Sequence, residues 1–356
     1  MSSRIPVTVI GATGVVGQRF VEGLMDHPEF RILHLAASER SVGKTYREAC
    51  AWRLEGEPYG GIGDQVLVAS EPDSAFAPVV FSALDSGPAA LLEPAFARAG
   101  AVVFSNASVF RMEADVPLLV PEVNPEHLGL FAEQRRLRGW SGGIVCNPNC
   151  TTTVLAMALA PLQAAFGIEA LIMTSMQAVS GAGYPGLSAL DILGNVIPFI
   201  PSEEEKVEEE TPRLLGVLEG GTVRPAPFSI SAHCHRVPVI DGHTEAVSVQ
   251  LRGAPSVDQV REALAGWRPL PQRLGLHSAP ASPIRLHLEQ DRPQVRRDVE
   301  SDGGMSVHVG RIRPCPLLGI KFTLLGHNTR RGAAGGSLLN AELALASGLL
   351  ASDGAP

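Results

Sequence analysis

The sequence lacks what a secreted, membrane-spanning or nucleic-acid-coating protein needs. Cysteine is scarce: there are five in 356 residues, an odd number at irregular spacings, which argues against a secreted disulfide framework. No apolar run approaches the roughly 18 residues of a membrane-crossing helix. Basic residues are in deficit, with 29 Lys and Arg against 37 Asp and Glu and a formal net charge of −8. A dense basic footprint for nucleic acid is therefore absent. The opening string MSSRIPVTVIGATG enters a strand-like segment almost at once, which does not suit a signal peptide. The expectation is a soluble, cytoplasmic protein with no nucleic-acid or membrane partner. Disorder is excluded too, because 45% of the residues are hydrophobic and 19% charged. At roughly 150 residues per domain, the length suggests about two domains.

The first 150 residues alternate. Pro6–Ile10, Arg31–Ala37, Gln65–Val68, Val79–Ser82 and Ala101–Phe104 are short apolar runs of strand length. Val15–Met25 and Pro88–Ala99 read as helices between them. Strand and helix in repetition predict a parallel sheet covered on both faces. After Cys150 the pattern changes. Thr152–Phe166 reads as a long helix interrupted only by Pro161, and Ser202–Leu218 as an acidic helix. Ser256–Trp267 reads as an amphipathic helix capped by Ser256. Glu169–Val179, Ser229–Pro238, Thr244–Leu251, Met305–Arg313 and Ile320–Leu325 read as strands, and Gly335–Leu350 as a closing helix. Grouped strands predict an α+β second domain with a largely antiparallel sheet. The expected division is residues 1–151 with a C-terminal piece of about 332–356, and residues 152–331.

Gly11-Ala12-Thr13-Gly14-Val15-Val16-Gly17 follows a strand and opens a helix, the setting of a dinucleotide-binding fingerprint. Such glycines let the backbone approach a pyrophosphate at the positive helix end. The first domain is therefore expected to be a Rossmann-type α/β unit. Where NAD enzymes place an acid, the second strand ends in Ser38-Glu39-Arg40-Ser41. Ser38, Arg40 and Ser41 suit a 2′-phosphate and favour NADP, while Glu39 leaves the NAD role open.

Asn149-Cys150-Thr151-Thr152 stands directly before a helix. A cysteine there faces the positive helix end, so a thiol pKa below the free value and a nucleophilic role are expected. The alternative is a buried, inert cysteine. Arg236 to His243 runs from an arginine suited to an anion to a histidine suited to acid/base work. A structural His243 is the bland alternative. A metal site from His233, Cys234, His235 and His243 is a further one, lacking a second ligand pair. The acid run from Ser202 to Thr211 reads mostly as a solvated helix face, with Lys206 free to meet an anion.

GATGVVG, NASVFRM, NPNCTT, QAVSGAGYPG, EEEKVEEET, RVPVIDGHTE and GHNTRRGAAGG span nearly the whole chain. Together they resemble the aspartate-semialdehyde dehydrogenases, most closely their archaeal and fungal branch. The resemblance implies NADPH-dependent reductive dephosphorylation of 4-phospho-L-aspartate to L-aspartate 4-semialdehyde through a cysteine thioester. That step leads toward lysine, threonine and methionine. It implies Cys150 as nucleophile positioned by Gln177, His243 as acid/base and Arg236 on the substrate carboxylate, with Asn149 nearby. It implies Glu203 near the amine, Lys206 and Arg111 on phosphate, and Asn328, Ser180 and Gly181 with the Gly11–Val16 turn around the cofactor. No metal is implied, and the expected assembly is a homodimer or homotetramer. A malonyl-coenzyme A reductase-like acyl reductase and a non-catalytic NADP-binding sensor are the alternatives.

Overall fold

The computed structural model describes residues 4–56 and 58–350. Residues 1–3 and 351–356, the ends of the expected first domain, lie outside the described residues. The first sheet is six-stranded, with β1 (Ile5–Ile10), β2 (Phe30–Ala37), β3 (Val68–Ala69), β4 (Val79–Ser82), β5 (Val102–Ser105) and β6 (Gly143–Cys146) in the order β3-β2-β1-β4-β5-β6. Every pairing in it is parallel. The order reverses between β1 and β4, and that crevice is where such sheets bind ligands. Helices α1 (Val15–Leu24), α2 (Ser86–Arg98) and α3 (Leu130–Arg138) belong to this lobe. β1, β4 and β5 are almost wholly buried, as a sheet covered on both faces requires.

Cys150–Ala165 forms α4, buried along nearly its whole length. It starts two residues before the expected Thr152 and runs through Pro161, so Cys150 is itself the first helical residue. α4 packs on the second sheet, made of β7 (Ile168–Gln177), β8 (Ser229–Arg236), β9 (His243–Leu251), β10 (Ile284–Leu286), β11 (Val307–Cys315) and β12 (Gly319–Gly326). Its order is β8-β7-β9-β12-β11-β10. The three inner pairings are antiparallel, whereas β8 with β7 and β10 with β11 are parallel. α5 (Glu203–Leu214) lies over β8, and α6 (Val257–Ala265) against α4. The acidic helix ends at Leu214, short of the expected Leu218, because Gly216 turns the chain into a short strand at Val217–Glu219. A Cβ on Gly216 would lie 2.5 Å from the Arg224 carbonyl oxygen. α7 (Gly335–Ala346) returns to pack on α1 and β5 of the first lobe.

One register detail builds the site. The last residue of β7, Gln177, pairs with the last residue of β8, Arg236. Across β7 on the other side, Thr244 pairs with Met176, so His243 opens β9 beside Gln177. Arg236 and His243 therefore sit on different strands that flank a third.

Candidate active site

A cleft of about 830 Å³ runs between the lobes. Strand ends and helix starts of the first lobe form one wall, through Gly14–Val16, Ala83–Ser86, Asn106–Ser108 and Pro148–Cys150. Gly14 caps α1 without a side-chain hydrogen bond, and α1 has no acid in its first turn. Its orphan amides and positive end therefore face the cleft unneutralised. Gly11 shapes the turn from behind: it has φ +74°, and a Cβ there would lie 2.8 Å from the Ala83 carbonyl oxygen. Thr13 is also behind, its carbonyl accepting a hydrogen bond from Gln18 at 3.0 Å. Ser38, Arg40 and Ser41 lie on the turn after β2; Ser38 and Arg40 are exposed, and Ser41 is half-buried.

The other end of the cleft holds Cys150 and Arg236. The Asn149 side chain caps α4 by accepting hydrogen bonds from the Thr151 and Thr152 amides, at 2.9 and 3.1 Å. Cys150 Sγ lies 3.2 Å from His243 Nε2. The Ala178 amide donates to His243 Nδ1 at 3.2 Å, which places the neutral ring's proton on Nε2, facing the sulfur. Arg236 holds the same segment, donating to the Ala178 carbonyl oxygen at 2.7 Å. Gly332 packs directly on Cys150, since a Cβ there would meet Cys150 Cβ at 2.6 Å.

The expected low thiol pKa is not what this environment produces. Burial, and then the Glu203 carboxylate, push the Cys150 thiol up to about 12, although Arg111, Arg236 and the Thr151 amide pull the other way. Burial, and then the Arg236 and His327 charges, push His243 down to about 3. The resting pair is a neutral thiol beside a neutral imidazole. Being first in a helix does not outweigh being buried.

Gln177 closes β7 beside these groups. It does not touch Cys150 within hydrogen-bonding distance; its Nε2 donates to Glu203 Oε1 and Ser175 Oγ, both at 3.1 Å. Glu203 Oε1 also accepts from Asn149 Nδ2 at 2.9 Å and from Thr151 Oγ1 at 3.3 Å, and its other oxygen lies 3.8 Å from Lys206 Nζ. Arg111 lines the cleft and donates to the Asn106 carbonyl oxygen at 2.8 Å. Asn328 donates to Ser180 Oγ and accepts from the Gly242 amide, both at 2.8 Å, and Ser180 and Gly181 line the same wall.

Sequence reasoning missed Glu210. Only 2% exposed, it accepts the Asn149 amide at 2.6 Å and an Arg111 N–H at 3.0 Å, so it ties the turn before Cys150 to the arginine. The signal was there: Glu203, Val207, Glu210, Thr211 and Leu214 recur at helical spacing and form one buried face. Glu204 and Glu208 are not idle solvated charges either. They accept the Cys234 and Ala232 amides at 2.8 and 2.9 Å, occupying donors on β8, the edge strand. The metal alternative dissolves on β8, where alternation buries Cys234 and turns the exposed His233 to the opposite face, away from His243. Among the described residues, His287, Asp298 and His308 are the group within metal-ligand reach of one another, but Arg292 and the Gln294 amide already hold Asp298.

The description "Semialdehyde dehydrogenase, NAD binding domain" matches residues 6–130, and "Semialdehyde dehydrogenase, dimerisation domain" matches residues 159–331. The aspartate-semialdehyde dehydrogenase of Methanothermobacter thermautotrophicus is 51% identical over 342 residues, covering 95% of this chain and 98% of its own. The chain belongs to the aspartate-semialdehyde dehydrogenase family. A fungal member, from Cryptococcus neoformans, is 45% identical over 98% of both chains. The crystal structure of the Candida albicans enzyme with NADP has a TM-score of 0.91 at 43% identity, covering 98% of this chain and 100% of that one. Aspartate semialdehyde dehydrogenase II of Vibrio cholerae, complexed with ASA, has a TM-score of 0.76 at 30% identity, over 97% and 99% of the two chains. The first match spans the first sheet as far as β5, and the second contains the whole second sheet.

Proposed function

We propose that this protein is an NADP-dependent aspartate-semialdehyde dehydrogenase, forming L-aspartate 4-semialdehyde from 4-phospho-L-aspartate in the biosynthesis of lysine, threonine and methionine. One observation carries the reading. A thiol that lines the cleft stands 3.2 Å from an imidazole, and the same cleft is lined by a free helix N-terminus and by Arg111, Glu203, Lys206 and Arg236. The unneutralised amides at Gly14 to Val16 and the open run from there to Cys150 fit a dinucleotide. Its contacts are assigned to Gly14, Val15, Val16, Ser180, Gly181 and Asn328, with Gly11 and Thr13 shaping the turn from behind and Ser38, Arg40 and Ser41 on the 2′-phosphate. The two lobes serve as the cofactor domain, 1–151 with about 332–356, and the catalytic domain, 152–331.

In this reading Arg236 grips the substrate carboxylate, Glu203 meets the ammonium, and Arg111 and Lys206 take the phosphate. The ammonium offsets the carboxylate that, after burial, does most to hold the Cys150 thiol up. Sγ then attacks the acyl carbon, the bond to the phosphate oxygen breaks, and a thioester remains on Cys150. The thiol proton leaves with the phosphate, and the His243 Nε2–H that faces Sγ donates to the sulfur as charge develops on it. When bound, the reduced dinucleotide supplies the hydride that reduces the thioester carbon. Breakage of the carbon–sulfur bond frees the aldehyde, and one proton from water restores the thiol. Gln177 acts through Glu203, whose carboxylate it holds.

The partner we infer is a second copy of this chain, in a dimer or tetramer, seated on the outer face of the second sheet. That face leaves Ile172 46% exposed in mid-strand. No helix among the described residues is long and apolar enough to cross a membrane, and we assign the work to the cytoplasm. The test is a substrate panel. Phosphate-dependent NADP reduction with aspartate semialdehyde supports the reading. NADPH oxidation with malonyl-coenzyme A instead, or turnover of neither, overturns it.

A further inference from the structure

The chain between β2 and β3 folds back against the Gly11–Gly17 turn and is anchored there several times. Tyr46 donates its hydroxyl to the Ala12 carbonyl oxygen at 2.9 Å. Gln18, which is buried, donates Nε2 to the carbonyl oxygens of Thr13 and Ala51 at 3.0 and 3.1 Å, and accepts the Arg53 amide at 2.7 Å. The ring of Trp52 packs on Tyr59, and Tyr59 on Tyr46. The backbone of Arg53 is thus fixed beside the turn that leaves its helix amides free.

Its side chain crosses to the other lobe. The guanidinium carbon stands 4.1 Å from the ring centroid of Tyr184. Tyr184 lines the cleft and is 64% exposed. The segment that carries it starts at Ser180, bonded to Asn328, and Gly181, where a Cβ would lie 2.7 Å from Arg236 Nη1. The contact therefore spans the cleft from the glycine turn to the strand ends that carry the catalytic groups. Among the described residues no carboxylate pairs with Arg53. A guanidinium stacked on a ring uses its face and leaves its N–H edge free, the edge that matches phosphate oxygens.

We propose that Arg53 and Tyr184 form a clasp across the cleft mouth, in which Arg53 binds the pyrophosphate of the dinucleotide and Tyr184 holds the guanidinium over it. The assignment rests on the dinucleotide reading above. It makes Arg53 a cofactor-binding residue outside the glycine turn, supplied by a loop that the turn itself anchors.

The test is binding, read by calorimetric titration of NADP and of NAD into the intact enzyme. Arg53→Ala is expected to weaken both about tenfold, as loss of a charge-assisted contact does. Arg53→Lys should recover part of the loss, because it keeps the charge without the planar edge. Tyr184→Ala should weaken both by a smaller factor, and the double variant should bind no worse than Arg53→Ala, since the two act as one unit. The melting temperature without cofactor should stay put in each variant. If Arg53→Ala fails to fold, Arg53→Lys decides by the same titration. Wild-type affinity in the folded arginine variants overturns the clasp. A loss confined to NADP overturns the pyrophosphate assignment in favour of the 2′-phosphate. A wild-type enzyme that binds neither dinucleotide overturns the cofactor reading itself.

Discussion

The turn from Gly11 to Gly17 is one uninterrupted stretch of chain, and its form follows from local rules. A strand ends, a positive φ is needed at Gly11, and a helix starts with free amides. The other end of the cleft gathers Arg111, Cys150, Gln177, Glu203, Glu210, Arg236 and His243 from the first lobe, two helices and the ends of three strands. There, position depends on register: a one-residue slip of β8 against β7 would carry Arg236 to the opposite face. Sequence local to the turn reveals what the turn does. For the corner, sequence reveals which residues are chemically able, and packing decides what each becomes.

That difference predicts different kinds of damage. The largest effect is expected in the corner at His243. His243→Asn should lower kcat by roughly 10²–10⁴ with little change in KM, measured by steady-state kinetics with aspartate semialdehyde, phosphate and NADP. A raised KM with kcat intact would make His243 a binding residue. Glu210→Gln comes next. It loses the charge that holds both the Asn149 amide and Arg111, and KM for phosphate should rise roughly tenfold or more. Restoration by Glu210→Asp in place of Gln would show that the charge matters, whereas equal losses would mark a packing role. On the turn's side, Arg40→Ala should raise the NADP KM about tenfold with far less effect on NAD, because a single exposed charge is lost. Equal effects on both cofactors would make Arg40 a bystander.

The same comparison explains what was legible. Most strands and helices of both lobes could be read from apolar runs, because burial on two faces leaves its mark in composition. β6 opens on a glycine and β10 has an arginine between its two apolar residues, so neither shows the continuous apolar run that marks β4 and β5. The glycine turn and the cysteine at a helix start were legible as local patterns. The thiol's ionisation was not, because burial and the distant Glu203 outweigh the helix end, and neither is written beside Cys150. The Gln177–Glu203 contact could not be read for the same reason: it is set by where α5 lies over the sheet. Glu210 was hidden among charges that looked solvated.

The smallest effect is a matter of order among thiols. Cys150 is pushed up by burial, as are Cys50, Cys146 and Cys234, whereas amides of Leu318 and Leu317 pull half-buried Cys315 down. Iodoacetamide at pH 8 should therefore label Cys315 before Cys150 in the unliganded enzyme, with Cys150 catching up as the pH rises. Peptide mapping that finds Cys150 first at pH 8 would return its thiol to the low range that helix position alone suggests.

The central claim is that Cys150 carries the acyl group between the two halves of the reaction. Wild type and Cys150→Ser, mixed with aspartate semialdehyde and NADP in the absence of phosphate, test it by rapid-mixing absorbance and mass spectrometry. The account predicts a burst of NADPH stoichiometric with wild-type sites, an aspartyl thioester on the Cys150 peptide, and steady turnover only once phosphate is added. Cys150→Ser should give no burst. A burst that survives Cys150→Ser, or an acyl group found on another residue, would contradict it.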